Sequence, residues 1–399
     1  MRTVLISGAG VAGTTLAYWL RRHGFAPTVV ERAPGVREGG YKVDIRGAAL
    51  EVVRRMGLLD AVRARATEVR AGSVVNAAGR RVASMDGDTF GGRAHGDAEL
   101  LRGDLTRLLA EATEGVEYLW DDSVERLTDT ADGVEVVLAR GGTRTFDLVV
   151  GADGLHSATR ALAFGEESRF VHDLGYRVAI FSVPNDLGLD REELTYVSPH
   201  RTVLVYSTAR DEGAKAMFLF KDDTQVPADA RALLAERYAG EGWEVPRLLA
   251  HDAPDFYLDT LSQVRMDSWS TGRVGLVGDA AYAASTASGQ GTSLALVGAY
   301  VLAGELAAAD DHTAGFAAYE RVMRPFVTRN QALGPANIKR MVLASAARVR
   351  LSMTFLALLN RLPGKDKLMA KAVTPIHRAA NAITLRDYPT PRCSRPRTA

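Results

Sequence analysis

Hydrophobic positions along this chain switch between two periods. Residues 3–8, TVLISG, form a short apolar run of strand type. GTTLAYWLRRHG, closed by Gly24, follows with apolar residues at helical spacing, and PTVVER is again a strand. Strand, glycine-rich turn, helix, strand predicts a βαβ unit and a parallel sheet. AALEVVRRMGLLDAVRARA and ELLRGDLTRLLAEATEG each read as one further helix. The period then drops to two. SVERLTDT, GVEVVLAR and TRTFDLVVGADG, divided by Asp132-Gly133 and Gly141-Gly142, predict a β-meander that returns into the first sheet.

From about Phe170 to Gln263 the chain is β-rich, with YRVAIFSV, LTYVSP, RTVLVYST and AKAMFLFKD, then one helix near ADARALLAERYAG. It reads as an inserted domain. GRVGLVGDAA restores a buried-strand pattern and helices follow from Thr292. The predicted fold is α/β: a Rossmann-like domain in two parts (residues 1–169 and 266–335), a β-rich insertion (170–265), and C-terminal helices and tail (336–399). Within the last part, VLASAARVRLSMTFLALLNRL is basic and amphipathic. Arg348 and Arg350 interrupt its apolar face, so it reads as a helix packed on the protein and not as one lying on a membrane.

Composition narrows the function classes. The 399 residues carry 49 basic and 48 acidic side chains, a net charge of +1 without long blocks, so no nucleic-acid partner is indicated. A single cysteine, Cys393, excludes an internal disulfide and fits a reducing cytoplasm. The N-terminus enters a strand with no signal segment. The longest apolar helix, about Ser293 to Ala309, carries Gly298, Gly304 and Glu305 and reads as too short to be an integral membrane segment. Eight histidines, His95 among them, show no metal-ligand spacing, and no GxSxG elbow points to a hydrolase.

The chemistry begins at Gly8-Ala9-Gly10-Val11-Ala12-Gly13, with Glu31 and its neighbour Arg32 at the end of the second strand. Glycines here permit a tight turn, close approach to a pyrophosphate and close helix packing. The helix N-terminus supplies N–H donors, and Glu31 accepts from an adenosine ribose. This motif alone does not separate NAD from FAD.

Two later segments do. Gly151-Ala152-Asp153-Gly154-Leu155-His156-Ser157 with Arg160, and GDAAYAASTASGQGTSLA from Gly278, resemble the second and third signatures of the class A flavoprotein monooxygenases, the para-hydroxybenzoate hydroxylase fold. The resemblance covers roughly residues 1–330. It implies a glutathione-reductase-type FAD domain and non-covalent FAD. NADPH or NADH would reduce the flavin from a surface groove, and O2 would be captured as a flavin C4a-hydroperoxide. One oxygen atom would then pass to an aromatic or polycyclic (polyketide-like) substrate. By the same resemblance Asp279 holds a ribityl hydroxyl. Gly289, Gly291 and Thr292 meet the flavin ring, Asp153 and Gly154 belong to a segment linked to FAD and NADPH, and Arg102 and Arg46 lie beside the cofactor. Arg46 is matched through relatives that include the tetracycline-inactivating monooxygenases. No catalytic acid or base is assigned, and a monomer or homodimer is expected. Residues of the inserted sheet around Met217 to Phe220, and Tyr196, Val203, Val205 and Tyr206, are candidates to line an apolar substrate pocket.

One departure stands out. Relatives place proline in the loop before Gly-x-Gly, where this chain has Ala284 and Thr286. Proline fixes φ, so its loss predicts a more mobile loop. It also keeps open two alternatives, a non-oxygenating scaffold flavoprotein (cyclase or isomerase) and a flavin-dependent dehydrogenase or reductase.

Overall fold

The structure is a computed structural model that describes residues 2–36, 39–93, 96–361 and 365–389. His95 and Cys393 lie outside them. A six-stranded sheet runs in the order Ser270–Thr271, Val274–Leu276, Leu148–Gly151, Thr3–Ser7, Ala26–Glu31, Glu117–Trp120. All its pairs are parallel except the Ser270–Thr271 edge. Its strands Thr3–Ser7 and Leu148–Gly151 are near-continuous apolar runs because both faces are covered, one by helices that include Val11–Arg22 and the other by the β-meander, whose Val134, Val136 and Leu138 pack with Leu5 and Val149. The β-meander forms its own three-stranded sheet, and only the strand after it, Leu148–Gly151, enters the parallel sheet.

The second sheet has seven strands, in the order Tyr257–Val264, Val171–Val183, Ala214–Lys221, Arg201–Ser207, Glu192–Ser198, Ala71–Val75, Arg81–Asp86. Its last two strands come from well before residue 170, and Ala71–Val75 pairs in parallel with Glu192–Ser198. A two-stranded ribbon, Lys42–Ile45 with Ala98–Leu101, is the fourth sheet among the described residues.

Two helical segments differ from expectation. The stretch from Ala48 breaks into Ala48–Arg55 and Leu59–Arg63 because Gly57 takes a φ of 76°, open to glycine at little cost. Residues 98–101 are a strand, and the helix begins only at Arg102. Ribbon pairing there outweighs the helical preference of Glu and Leu.

The helix Gly291–Ala308 runs through the centre of the first core. By length and hydropathy it could cross a membrane, contrary to the reading that it is too short, yet 78% of it is buried inside the fold. Its Gly298 makes room for Tyr282, since a Cβ there would sit 1.9 Å from the Tyr282 hydroxyl. Tyr282, 1% exposed, also packs on Trp269 and receives a hydrogen bond from the Tyr319 hydroxyl at 2.9 Å. Gly298→Ala is expected to destabilise the protein by about 1–3 kcal/mol through overpacking, read as a lower midpoint in thermal unfolding.

Candidate functional site

At the C-terminal ends of the central parallel strands three turns meet. A Cβ on Gly8 would lie 2.7 Å from the Ala152 carbonyl oxygen, and one on Gly13 would lie 1.9 Å from that of Gly8. A Cβ on Gly278 would lie 2.8 Å from the Ala12 Cβ. The first turn therefore closes on the second through backbone, and the third closes on the Ala12 methyl. Gly10, by contrast, has nothing within 4 Å of its Cβ position. It faces open space at the start of the helix Val11–Arg22, where Val11 and Ala12 are buried.

That helix has no side-chain cap and no acidic residue in its first turn. The same holds for the helix Gly291–Ala308, whose first turn carries Gly291 and Thr292. Both N-termini leave N–H donors free to meet an anion or a polar ring edge. Glu31 is fixed beside the first of them, its carboxylate accepting from the N–H of Ala9 at 2.8 Å and of Ala33 at 3.0 Å. Arg32 is exposed.

Asp279 opens a short helical turn and stands solvent-accessible, with no hydrogen bond to a described residue. Its carboxylate is nonetheless ringed by protein: burial raises its pKa, and the Arg102 guanidinium opposes the rise. Accessible yet deep, it lies on the wall of a cleft. Arg102 begins the helix Arg102–Glu111, its guanidinium 5.8 Å from the Tyr41 ring centroid, and its pKa is raised by Tyr41 and then by Asp279. A Cβ on Gly291 would be 3.9 Å from Asp279 Oδ1, and one on Gly289 would be 3.9 Å from Arg46 Nη1. Arg46, 3% exposed, donates its backbone N–H to Ser293 Oγ at 3.2 Å. Asp279, Gly289, Gly291, Thr292, Arg46 and Arg102 thus gather around one cleft.

Asp153 is placed differently. Its carboxylate accepts from the N–H and hydroxyl of Thr159, each at 2.9 Å, and from the Ser157 hydroxyl. It is occupied in fixing the start of the helix Ala158–Phe164, and Gly154, φ 82°, turns the chain beside it. Arg160, fully buried, ties this segment to the third signature through a 3.0 Å bond to the Ala280 carbonyl.

Several participants escaped the sequence reading. Gln290, between the two loop glycines, is fully buried with both carboxamide atoms unpartnered. An ionic chain leads away from Arg46. Arg46 pairs with Asp44 at 2.8 Å, Arg93 with Asp44 at 3.9 Å and with Glu99, and Lys42 with Glu99 at 3.3 Å and with Glu193. Burial works against the Lys42 charge, but Glu193 and Glu99 outweigh it and hold the ammonium protonated. The only hint in sequence was the charge alternation of YKVDIR.

The loop that lacks prolines is tied by other means. Gln331 donates to the carbonyls of Tyr282 at 3.3 Å and Ala283 at 3.2 Å, Gln263 to Ala284 at 3.3 Å, and Asn337 to Ala287 at 3.1 Å. One side of the seven-stranded sheet packs against this loop. Tyr176, Leu204 and Met217 on that side share a cluster with Ala287. Of the sheet residues proposed from sequence, Met217 and Leu219 are on this side. Tyr196, Val203, Val205, Phe218 and Phe220 pack into the opposite core with Tyr238. Tyr206 bonds the N–H of Lys42 at 3.1 Å.

At the rim His156 bridges Glu167 at 2.9 Å and Asp259 at 3.3 Å, and Tyr257 donates to Asp259 at 2.6 Å. Its hydrogen bond to Asp259 leads in lifting the His156 pKa to about 9 from 6.5. A raised folded-state pKa means the contribution is complete below pH 6.5 and is lost as pH climbs through about 9. The stability gap between the natural protein and His156→Gln should therefore narrow over that window, measured by thermal melts across pH. Asp279→Ala should weaken FAD retention by about 1.5–3 kcal/mol, the worth of a hydrogen bond to a charged group, read by fluorescence titration of the apoprotein. Unchanged affinity would remove Asp279 from the site.

The FAD binding domain family model matches residues 1–331. An uncharacterized protein of Mycobacterium tuberculosis (strain ATCC 25618 / H37Rv) is 49% identical over 350 residues, which cover 85% of this chain and 94% of that protein. A flavin-dependent monooxygenase of an unknown prokaryotic organism is 41% identical over 340 residues, covering 84% and 88% respectively. The solved structure of the tetracycline destructase Tet(55) superposes with a TM-score of 0.84 at 36% identity, covering 97% of this chain and 99% of that one. With its nucleotide turns, open cleft and matched length, the chain belongs to the FAD-binding class A flavoprotein monooxygenases.

Proposed function

We propose that the cleft holds FAD non-covalently, with its pyrophosphate over Gly8, Gly10 and Gly13, its adenosine ribose at Glu31 and its ribityl chain at Asp279. The ring edge would lie at Gly289, Gly291 and Thr292 beside Arg46. The observation that carries this reading is the unpartnered Asp279 carboxylate, lying near Arg102 and Gly291 at the start of an uncapped helix. Bound FAD supplies the redox chemistry, taking a hydride from NADPH or NADH and activating O2 for transfer of one oxygen atom.

The protein's own part is positioning and exclusion of water. The N-terminus of Gly291–Ala308 favours negative charge on the ring edge nearest it. Arg46, anchored by Asp44 and Ser293, adds a fixed positive charge. Tyr176, Leu204, Met217 and Ala287 offer an apolar wall to a flat aromatic or polycyclic substrate. The similarity to Tet(55) over nearly the whole of both chains supports a polycyclic substrate.

Anaerobic mixing with NADPH and with NADH tests the donor, and one of them should bleach the flavin absorbance. A polycyclic phenol supplied with isotope-labelled O2 should gain a single labelled oxygen atom. Label that appears only in peroxide for every aromatic tested, or a flavin untouched by both nucleotides, would sink the proposal.

A further inference from the structure

The near-zero net charge conceals a strong asymmetry. From Arg321 to Arg386 there are thirteen Lys and Arg residues and one acidic residue, Asp366, in a chain whose net charge is +1. The remainder is accordingly acidic. Within this basic segment lies the helix Ala346–Leu359, which borders the strand Arg81–Asp86 and buries only Leu359 completely. Packing on the protein, as the sequence suggested, accounts for one side of it alone.

Its other side is apolar and open. Leu351 is 72% exposed, Phe355 59% and Leu358 58%, three of the five large hydrophobic side chains that stand exposed among the described residues. Spaced i, i+4, i+7, they lie within about 60° of arc on the helix surface. Arg348 falls roughly 60° to one side of Leu351, with Arg361 and Arg350 roughly 80–100° to the other. The arginines flank the apolar stripe, as an interfacial helix requires if its guanidinium groups are to reach lipid headgroups while the stripe enters the acyl boundary. Lys339, Arg340, Arg348, Arg350 and Arg361 are all exposed, and none forms an ion pair with a described residue.

We propose that this face docks the protein on an anionic lipid bilayer, with Ala346–Leu359 lying in the plane of the interface. Charge complementarity selects this occupant. A second copy would bring the same surplus of positive charge against itself, whereas an anionic headgroup layer neutralises it. The inference stands on this helix and its charges and does not depend on the reading of the cleft.

The test is flotation of the full-length FAD-loaded protein with vesicles rich in phosphatidylglycerol and with vesicles of phosphatidylcholine alone. Binding to the anionic vesicles should be many-fold stronger and should fall as salt is raised. Arg348→Gln, Arg350→Gln and Arg361→Gln together should weaken it on the order of a hundredfold. Leu351→Ser, Phe355→Ser and Leu358→Ser together should abolish it. All six residues are exposed or at the helix end, and retained FAD confirms folding of both variants. Equal partition to the two vesicle types, or binding untouched by the serine substitutions, would overturn the proposal. So would absence of vesicle binding together with a dimer, seen by sedimentation, that the same serines dissociate.

Discussion

Everything in this molecule depends on how closely the turns approach one another at the ends of three parallel strands. Gly8 against Ala152, Gly13 against Gly8 and Gly278 against the Ala12 methyl leave no room for a Cβ on the glycine at any of the three contacts. A methyl group at one of them would separate the turns by more than the packed interior tolerates. With the turns closed on each other, two helices begin side by side with free N–H groups, and Asp279 is carried to the wall between them. The one bulky residue of the third signature, Tyr282, is drawn inward by Gly298 and Tyr319, which clears the wall.

A second connection, electrostatic this time, joins that wall to the seven-stranded sheet. Arg46, Asp44, Arg93, Glu99, Lys42 and Glu193 alternate in sign along a largely buried line from the glycine loop to the strand Glu192–Ser198. Three positive and three negative charges balance. In a low-dielectric interior such a line is weak support for overall stability, but removal of one member leaves a buried charge uncompensated, typically at about 3–5 kcal/mol. The line therefore behaves as a strut of fixed length. It ties the ribbon Lys42–Ile45 with Ala98–Leu101 to the seven-stranded sheet.

Features contiguous in the chain were legible before the structure. The glycine turn, the strand-to-helix joint at Gly278 and the alternation of the inserted sheet all declare themselves within windows of ten to twenty residues. Features made by distant partners were not. Ala71–Val75 is too short and small to announce a strand, and becomes one by pairing with residues 192–196. Glu193 is an ordinary strand residue until Lys42 stands beside it. Asp153 reads as a ligand-binding aspartate by position, while Thr159 and Ser157 take up its carboxylate. Exposure of one helix face is likewise a property of what fails to pack on it, which no local pattern records.

The loop before the Gly-x-Gly shows how the origin of a restraint governs when it acts. A proline restricts its loop from the moment the residue joins the growing chain. Here the restraint is three amide side chains, of which Gln331 and Asn337 lie some fifty residues downstream of the carbonyls they bind. Gln263 precedes the loop, but its other ties remain unmade during synthesis until the helices that carry those residues have emerged and docked. Order at the floor of the cleft is a late event in this chain's assembly, set by the arrival of its C-terminal third.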